Sequence, residues 1–362
     1  MATRSPIARP TDHSTDTQTR AKAVDAASAS ALDALDPSDP SEQAGGFDLI
    51  DLHPSPADLR AIAVEGLSAE PKSLPAALLY DAQGSALFES ICDLPEYYLT
   101  RTEVGILRAN LPEIAERIGP GALVFEPGCG SGVKTRLLLE TLDRPAGFVP
   151  IEISRSALLG ACAELARAVP GVEILPVCAD YHRPIPEPSP EVDPEQRVVF
   201  FPGSTVGNAP PDEARVLLER LAELVGPGGW MLVGVDLRKD PELLEAAYDD
   251  AQGVTARFTL NVLERLNREA DADFDLDAFG HEAVWRDGPG WVELGAVSLF
   301  DQTVSVAGQR FAFARGEKLH TEVSAKYTLD GFAELAAPVA SVAGVWTDAQ
   351  ARFSVQLLRV AG

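Results

Sequence analysis

Acids and glycines at the ends of apolar runs are the residues of this chain best placed to do chemistry. In Leu123-Val124-Phe125-Glu126-Pro127-Gly128-Cys129-Gly130-Ser131-Gly132-Val133-Lys134 an apolar run stops at an acid and passes into alternating glycines. Val124 and Phe125 predict a buried strand, and Thr135 to Leu142 the start of an amphipathic helix. Gly128, Gly130 and Gly132 remove side chains where the backbone bends and a ligand comes close. Ligands of parallel sheets bind beyond the carboxyl ends of the strands, so a strand, glycine loop and helix in succession read as a nucleotide-type site. Two more acids end apolar runs, Glu152 in Phe148 to Ile153 and Asp180, with Tyr181, after Val172 to Val177. A carboxylate at Glu152 accepts both hydroxyls of a ribose. One at Asp180 accepts from an adenine amino group while the Tyr181 ring flanks the base. Lys134, one turn into the helix, pairs with a carboxylate on the ligand. The plain alternatives are a tight turn without a ligand and a solvated helix lysine.

Spacing separates the ligands. The dinucleotide fingerprint is G-x-G-x-x-G, whereas these glycines run G-x-G-x-G with Glu126 two residues ahead. That pattern resembles motif I of the S-adenosylmethionine-dependent methyltransferases. Gly203-Ser204-Thr205-Val206-Gly207-Asn208, at the end of the fourth strand, then faces the methyl group. The D/N-P-P-[YF] motif of many DNA and some protein methyltransferases is missing there. Asn208 precedes Ala209-Pro210-Pro211, which puts it in a loop where its amide can anchor a small polar substrate. Its alternative role is that of a turn asparagine.

The elements that position these residues alternate strand and helix, the signature of a parallel sheet. Strands are expected at Ala122 to Glu126, Phe148 to Ile153, Val172 to Val177, Val198 to Phe201 and Trp230 to Val235. Helices are expected at Thr102 to Arg117, Ser154 to Ala168 and Asp212 to Val225, with a closing helix Asp330 to Ala337 and strands Val339 to Trp346 and Arg352 to Val360. Between Leu237 and Lys326 lies an insertion with helical stretches (Pro241 to Ala251, Val254 to Asn267) and alternating strands (Trp291 to Phe300, Thr303 to Ala307, Phe311 to Phe313). The expected fold is α/β, a Rossmann-like class I methyltransferase sheet with an inserted α+β substrate-binding domain. Residues 102–238 plus 327–362 form the S-adenosylmethionine-binding domain, and 46–101 plus 239–326 the substrate-binding domain over the carboxyl ends of the sheet. Residues 1–45, rich in Ala, Ser, Thr, Asp and Pro, cannot bury enough surface to offset their ordering entropy and read as a disordered tail.

Composition narrows the function. With 30 basic and 55 acidic residues the formal charge is −25, a field that repels nucleic acid and anionic membrane surfaces. No apolar run approaches a membrane span and no signal peptide is visible, so a cytoplasmic location is expected. Cys92, Cys129, Cys162 and Cys178 show no C-x-x-C spacing and read as thiols in a reducing compartment. The five histidines are scattered as well, so no metal site is expected.

Longer strings carry a sharper resemblance. Tyr80-Asp81-Ala82-Gln83-Gly84-Ser85, Pro95-Glu96-Tyr97-Tyr98, Thr100-Arg101, Gly203 to Asn208, Ala247-Tyr248-Asp249-Asp250, Gly253-Val254-Thr255-Ala256, Asn267-Arg268-Glu269 and Thr321-Glu322-Val323-Ser324 occur in order. Between about Pro71 and Trp346 the chain resembles the ergothioneine-pathway histidine Nα-methyltransferase family. The resemblance implies a monomer that uses S-adenosyl-L-methionine as methyl donor and trimethylates the α-amine of L-histidine to hercynine. It also implies an imidazole-side pocket of Tyr97, Thr255, Glu322 and Ser324. Asn208 and Tyr248 would anchor the α-carboxylate, Tyr80 and Gly203 would lie near the reacting amine, and Phe258 would be a pocket aromatic. The family often has Ile-Glu-Met where this chain has Val292-Glu293-Leu294; Leu294 conserves the volume. The competing readings are the same fold acting on another amino acid or amine, such as an indole amino acid, and an inactive cofactor-binding regulatory protein.

Overall fold

The structure, a computed structural model, describes residues 46–52, 58–130, 132–186 and 188–362. The expected tail, 1–45, lies outside the described residues. Phe47–Gly362 make up one compact unit.

In chain order the first part of this unit contains β1 (Ile50–Asp51), α1 (Leu59–Ser68), α2 (Ala82–Cys92), α3 (Tyr98–Ile118), β2 (Ala122–Pro127), α4 (Val133–Thr141), β3 (Gly147–Glu152), α5 (Arg155–Ala168), β4 (Val177–Cys178), β5 (Gln196–Phe201), α6 (Pro211–Val225) and β6 (Trp230–Asp236). Then come α7 (Pro241–Ala246), α8 (Val254–Glu269), β7 (Phe279–Arg286), β8 (Trp291–Ser298), β9 (Gln302–Val306), β10 (Gln309–Phe313), β11 (Lys318–Ala325), α9 (Leu329–Ala336), β12 (Ala340–Thr347) and β13 (Phe353–Val360).

One large sheet has the order β1-β4-β3-β2-β5-β6-β13-β12, parallel through β6 and antiparallel at β13 and β12. Its central strands are apolar on both faces because each face is covered. Val124, Val198 and Phe200 enter one hydrophobic cluster, while their neighbours Leu123, Phe125, Val199 and Phe201 enter the other. The third strand departs from expectation. Of Val172 to Val177, Ile174 makes an isolated bridge to Phe148 and continuous pairing is confined to Val177–Cys178. Pro176 has no N–H to give the ladder. Its carbonyl instead accepts from Ile50 N at 3.0 Å, so β1 extends the large sheet at its edge. The segment expected wholly on the substrate side therefore begins in the main sheet.

A smaller antiparallel sheet, β11-β8-β7, and the β9–β10 hairpin occupy the insertion. The expected helix from Pro241 to Ala251 ends at Ala246, and the turn that follows sets up α8. There Asp250 accepts from the backbone N–H groups of Gln252, Val254 and Thr255 at 3.0, 3.0 and 2.7 Å, satisfying donors that a helix start leaves open. Strands β7 and β11, absent from the sequence expectation, complete the small sheet. The small sheet meets the large one at the carboxyl ends of β5 and β6. Tyr327 N donates to Asp236 O at 3.1 Å, and Arg238 N donates to Tyr327 O at 2.9 Å. A Cβ on Gly207 would come within 2.6 Å of Ala325 O, so only glycine allows the end of β11 to sit this close to the loop after β5.

Candidate active site

The side expected to hold the cofactor is built from the ends of β2, β3, β4 and β5. Gly128 has φ +72°, in the region glycine tolerates best, and its position faces the Tyr181 ring. Glu126 is buried and accepts from Thr135 Oγ1 at 2.6 Å; burial pushes its carboxyl up to about 7. It ties the strand to the following helix. Glu152 Oε1 accepts from the N–H groups of Ile153 and Ser154 at 2.9 and 3.1 Å, which fixes the carboxylate at the strand end. Burial raises its pKa, opposed by those same bonds. Asp180 accepts from His182 N at 3.0 Å, and the Tyr181 and His182 rings lie 4.5 Å apart. Gly130 has open space where a side chain would be.

Two features of this side were missed in the sequence. Val133 and Ile153 are 51% and 56% exposed, although large and apolar, and they stand beside the glycine loop and Glu152. Glu103, from α3, is 1% exposed and is paired with Lys134. The same carboxylate receives the Gly203 N–H. Lys134 is thus paired with a buried acid that also holds the loop after β5. An acid in the middle of an amphipathic helix gave no signal in sequence, because its partners come from two other elements.

The side expected to take the substrate is a run of aromatic rings. Tyr80 meets Phe258 and Phe88 edge-on with centroids 5.3 and 5.6 Å apart, Phe88 meets Tyr97 at 6.2 Å, and Tyr97 meets Tyr248 at 6.0 Å. Phe88 was not anticipated. Tyr248 Oη lies 2.7 Å from Ser324 Oγ. Thr255 is buried beside this run at the start of α8. On β11, Glu322 and Ser324 are two residues apart and share a face. The register sets Leu294 of β8 directly opposite Glu322, after a β-bulge between His320 and Glu322. Burial pushes the Glu322 carboxyl up to about 7, and the charge of Lys326 pulls the other way. No hydrogen-bond partner for that carboxyl occurs among the described residues. Asn208 closes the short 3-10 turn Thr205–Gly207 through its own N–H and is exposed, and its side chain bonds to none of the other candidates. Among the described residues, no group of three or more His, Cys, Asp and Glu is close enough to hold a metal ion.

Comparison with known proteins decides what this arrangement belongs to. The family described as histidine-specific methyltransferase, SAM-dependent, matches residues 59–360. The chain belongs to that family. It is 42% identical to a histidine N-alpha-methyltransferase of Mycolicibacterium smegmatis over 83% of this chain and 93% of that one. A histidine N-alpha-methyltransferase of Mycobacterium tuberculosis is 40% identical over 83% of this chain and 94% of its own. Ergothioneine biosynthesis protein 1 of Neurospora crassa is 34% identical over 58% of this chain and 26% of its own.

As a member of the histidine-specific methyltransferases, the chain is an enzyme that uses S-adenosylmethionine and acts on a small molecule. Its large sheet, apart from the added edge strand β1, has the class I methyltransferase order. The candidate donor site lies at the carboxyl ends of β2 to β5. It offers a glycine cradle, fixed carboxylates at Glu152 and Asp180, and exposed apolar side chains at Val133 and Ile153 that a bound ligand would cover. No helix among the described residues is long and apolar enough to cross a membrane.

Proposed function

We propose that this enzyme transfers three methyl groups from S-adenosyl-L-methionine to the α-amine of L-histidine, giving hercynine for ergothioneine biosynthesis. One observation carries the choice of amino acid. Glu322 presents a carboxyl without a hydrogen-bond partner among the described residues, beside the Ser324 hydroxyl and opposite the apolar Leu294. Two polar groups on one face match a ring with two nitrogens, and a carboxylate accepts an imidazole N–H. An indole offers one donor and needs more room.

In this reading Tyr97, Thr255, Phe258 and Leu294 enclose the ring with Glu322 and Ser324. Tyr248 and Asn208 take the α-carboxylate, while Tyr80 and Gly203 flank the amine. Gly128, Gly130, Lys134, Glu152, Asp180 and Tyr181 form the donor side, with Lys134 acting partly through Glu103. Residues 58–101 plus 239–326 serve the substrate, and β1 with 102–238 plus 327–362 the donor. We further propose a cytoplasmic monomer.

The chemistry needs alignment more than acid–base help. The amine lone pair forms the new N–C bond as the C–S bond breaks, and sulfur leaves with the electron pair as a neutral thioether. The α-ammonium of free histidine, and the ammonium left by the first and second transfers, must each lose a proton to water before the nitrogen can attack. The third transfer leaves a permanent cation, which the aromatic rings of Tyr80, Phe88 and Phe258 tolerate.

Mass spectrometry of histidine incubated with the enzyme and S-adenosylmethionine tests the proposal, alongside a panel of free amino acids. Trimethylated histidine is the expected product. Unchanged histidine, with methylation of another amino acid in the panel, would overturn the substrate assignment.

A further inference from the structure

Behind the substrate side lies a buried charge network to which the proposed reaction assigns no part. The side chains of Lys326 and Asp236 are both 0% exposed and lie 2.9 Å apart. Lys326 Nζ also donates to Tyr248 Oη and to Ser324 Oγ, each at 2.7 Å. An ammonium has three donors and no acceptor, so every Lys326 proton is in use. Asp236 is equally occupied, accepting from Tyr98 Oη at 2.7 Å and from Lys239 Nζ at 2.6 Å. Lys239 in turn donates to Tyr98 Oη at 2.6 Å.

The two pocket hydroxyls can be counted the same way. Each carries one proton, and each already accepts from Lys326. They lie 2.7 Å apart, so one donates to the other and a single proton is left over. Lys326 stands between this pair and the Asp236 carboxylate. Without the ammonium, that carboxylate would draw the spare proton inward. With it, the proton has no acceptor behind and must turn toward the substrate. The positive charge behind the phenol also makes Tyr248 a better donor.

We infer that Lys326 is a positioning residue that turns the spare proton of the Tyr248–Ser324 pair toward the α-carboxylate, so that the pocket selects an amino acid over the corresponding amine. The inference rests on the reading of Tyr248 as a carboxylate contact. Lys326 touches no reacting atom; it acts through Tyr248.

Calorimetry on the full chain saturated with S-adenosylhomocysteine tests this by comparing histidine with histamine, the same ring without a carboxylate. The parent should bind histidine more tightly. Lys326→Met should weaken histidine by about tenfold or more, the scale of one charge-assisted hydrogen bond, and leave histamine nearly unchanged. A purely structural role would weaken both equally. Ser324→Ala leaves the Tyr248 proton free, so it should weaken both ligands while preserving their ratio. Lys326→Met leaves Asp236 with Lys239 and Tyr98 as partners; if that variant does not fold, Lys326→Gln, whose amide oxygen gives the spare proton an inward acceptor, is measured by the same ratio. An unchanged ratio without Lys326, or a lost ratio in Ser324→Ala, overturns the inference. A parent that prefers another amino acid overturns only the histidine assignment, and the ratio is then taken between that acid and its decarboxylated amine. A parent that binds only amines without a carboxylate, or binds no amino acid, overturns both.

Discussion

Glu103 and Gly203 are a hundred residues apart in sequence, yet the Gly203 N–H lies 3.0 and 2.9 Å from the two oxygens of the Glu103 carboxylate. The same carboxylate pairs with Lys134. One buried acid from α3 therefore ties the glycine loop's helix to the loop after β5, the two sides between which a methyl donor would lie.

Glu103→Ala should accordingly damage both stability and donor binding. It leaves Lys134 without its partner and Gly203 with an unsatisfied N–H. Breaking a buried pair from one side costs about 3–5 kcal/mol, and the 18% exposure of Lys134 places the effect toward the lower end. Denaturant unfolding measures the first effect and S-adenosylhomocysteine calorimetry the second. Parent-like values in both would show that the contact is dispensable.

Gly234→Ala offers an independent approach to the same contact. Its Cβ would overlap Glu103 Oε1 and come within 3.1 Å of Gly203 N. The substitution should destabilise the parent strongly but the Glu103→Ala variant much less, because the atom it collides with is gone. In a double-mutant cycle the coupling should be on the order of 1 kcal/mol or more. Additive effects would mean that the damage comes from the strand itself.

Glu152→Ala should weaken S-adenosylmethionine binding and spare histidine. The carboxylate is held by two backbone N–H groups and has a second oxygen free of them. Loss of a charge-assisted hydrogen bond is worth about 1.5–3 kcal/mol, or roughly tenfold and more in Kd. An unchanged Kd would remove Glu152 from the ribose role.

Glu322→Ala should raise the KM for histidine by about tenfold or more, for the same energetic reason, and leave the Kd for S-adenosylmethionine nearly unchanged. Histidine kinetics like those of the parent would remove Glu322 from the substrate pocket.

The pH dependence follows from the raised pKa of Glu322, about 7 against an ordinary 4.5. Only the ionised carboxylate is a full acceptor. The ratio of kcat/KM for the parent to that for Glu322→Gln should rise with pH and level off above about 7. Titration of the substrate's ring and amine is common to both proteins and cancels in the ratio. Stability runs the other way. Between the unfolded and folded pKa values the native state binds the proton more tightly, so this group's contribution falls as pH rises through that window. Glu322→Gln should flatten that part of the stability curve, and a thermal melt series across it is the check.

Much of the site was legible because local pattern was enough to reveal it. An apolar run ending in an acid and alternating glycines specifies a strand, a turn and a helix, and the strand β2 and helix α4 form on either side of the glycines. Several of the strings that carried the family resemblance prove to be local fasteners. Asp81 caps α2 through Gly84 N at 2.8 Å, and Asn267 exchanges two hydrogen bonds with the backbone of Phe274. Strands β7 and β11 were less legible, since each mixes polar and apolar residues without strict alternation. Their pairing with β8 compensates for what the local pattern lacks.

The chain order of apolar runs, acids and glycines was enough to specify a parallel sheet, the ends of its strands and the kind of ligand the enzyme uses, because those depend on spacing along one segment. Which way a side chain turns was decided by tertiary structure. Tyr97 and Tyr98 are adjacent, yet Tyr97 joins the aromatic run while Tyr98 donates to Asp236 in the buried charge network. Lys134 and Lys326 each carry a charge that sequence cannot distinguish from a solvated one. Each finds its acid on a distant element, Glu103 on α3 and Asp236 on β6. A buried charge is stable only where partners from several segments converge on it, and that convergence exists only in the folded chain.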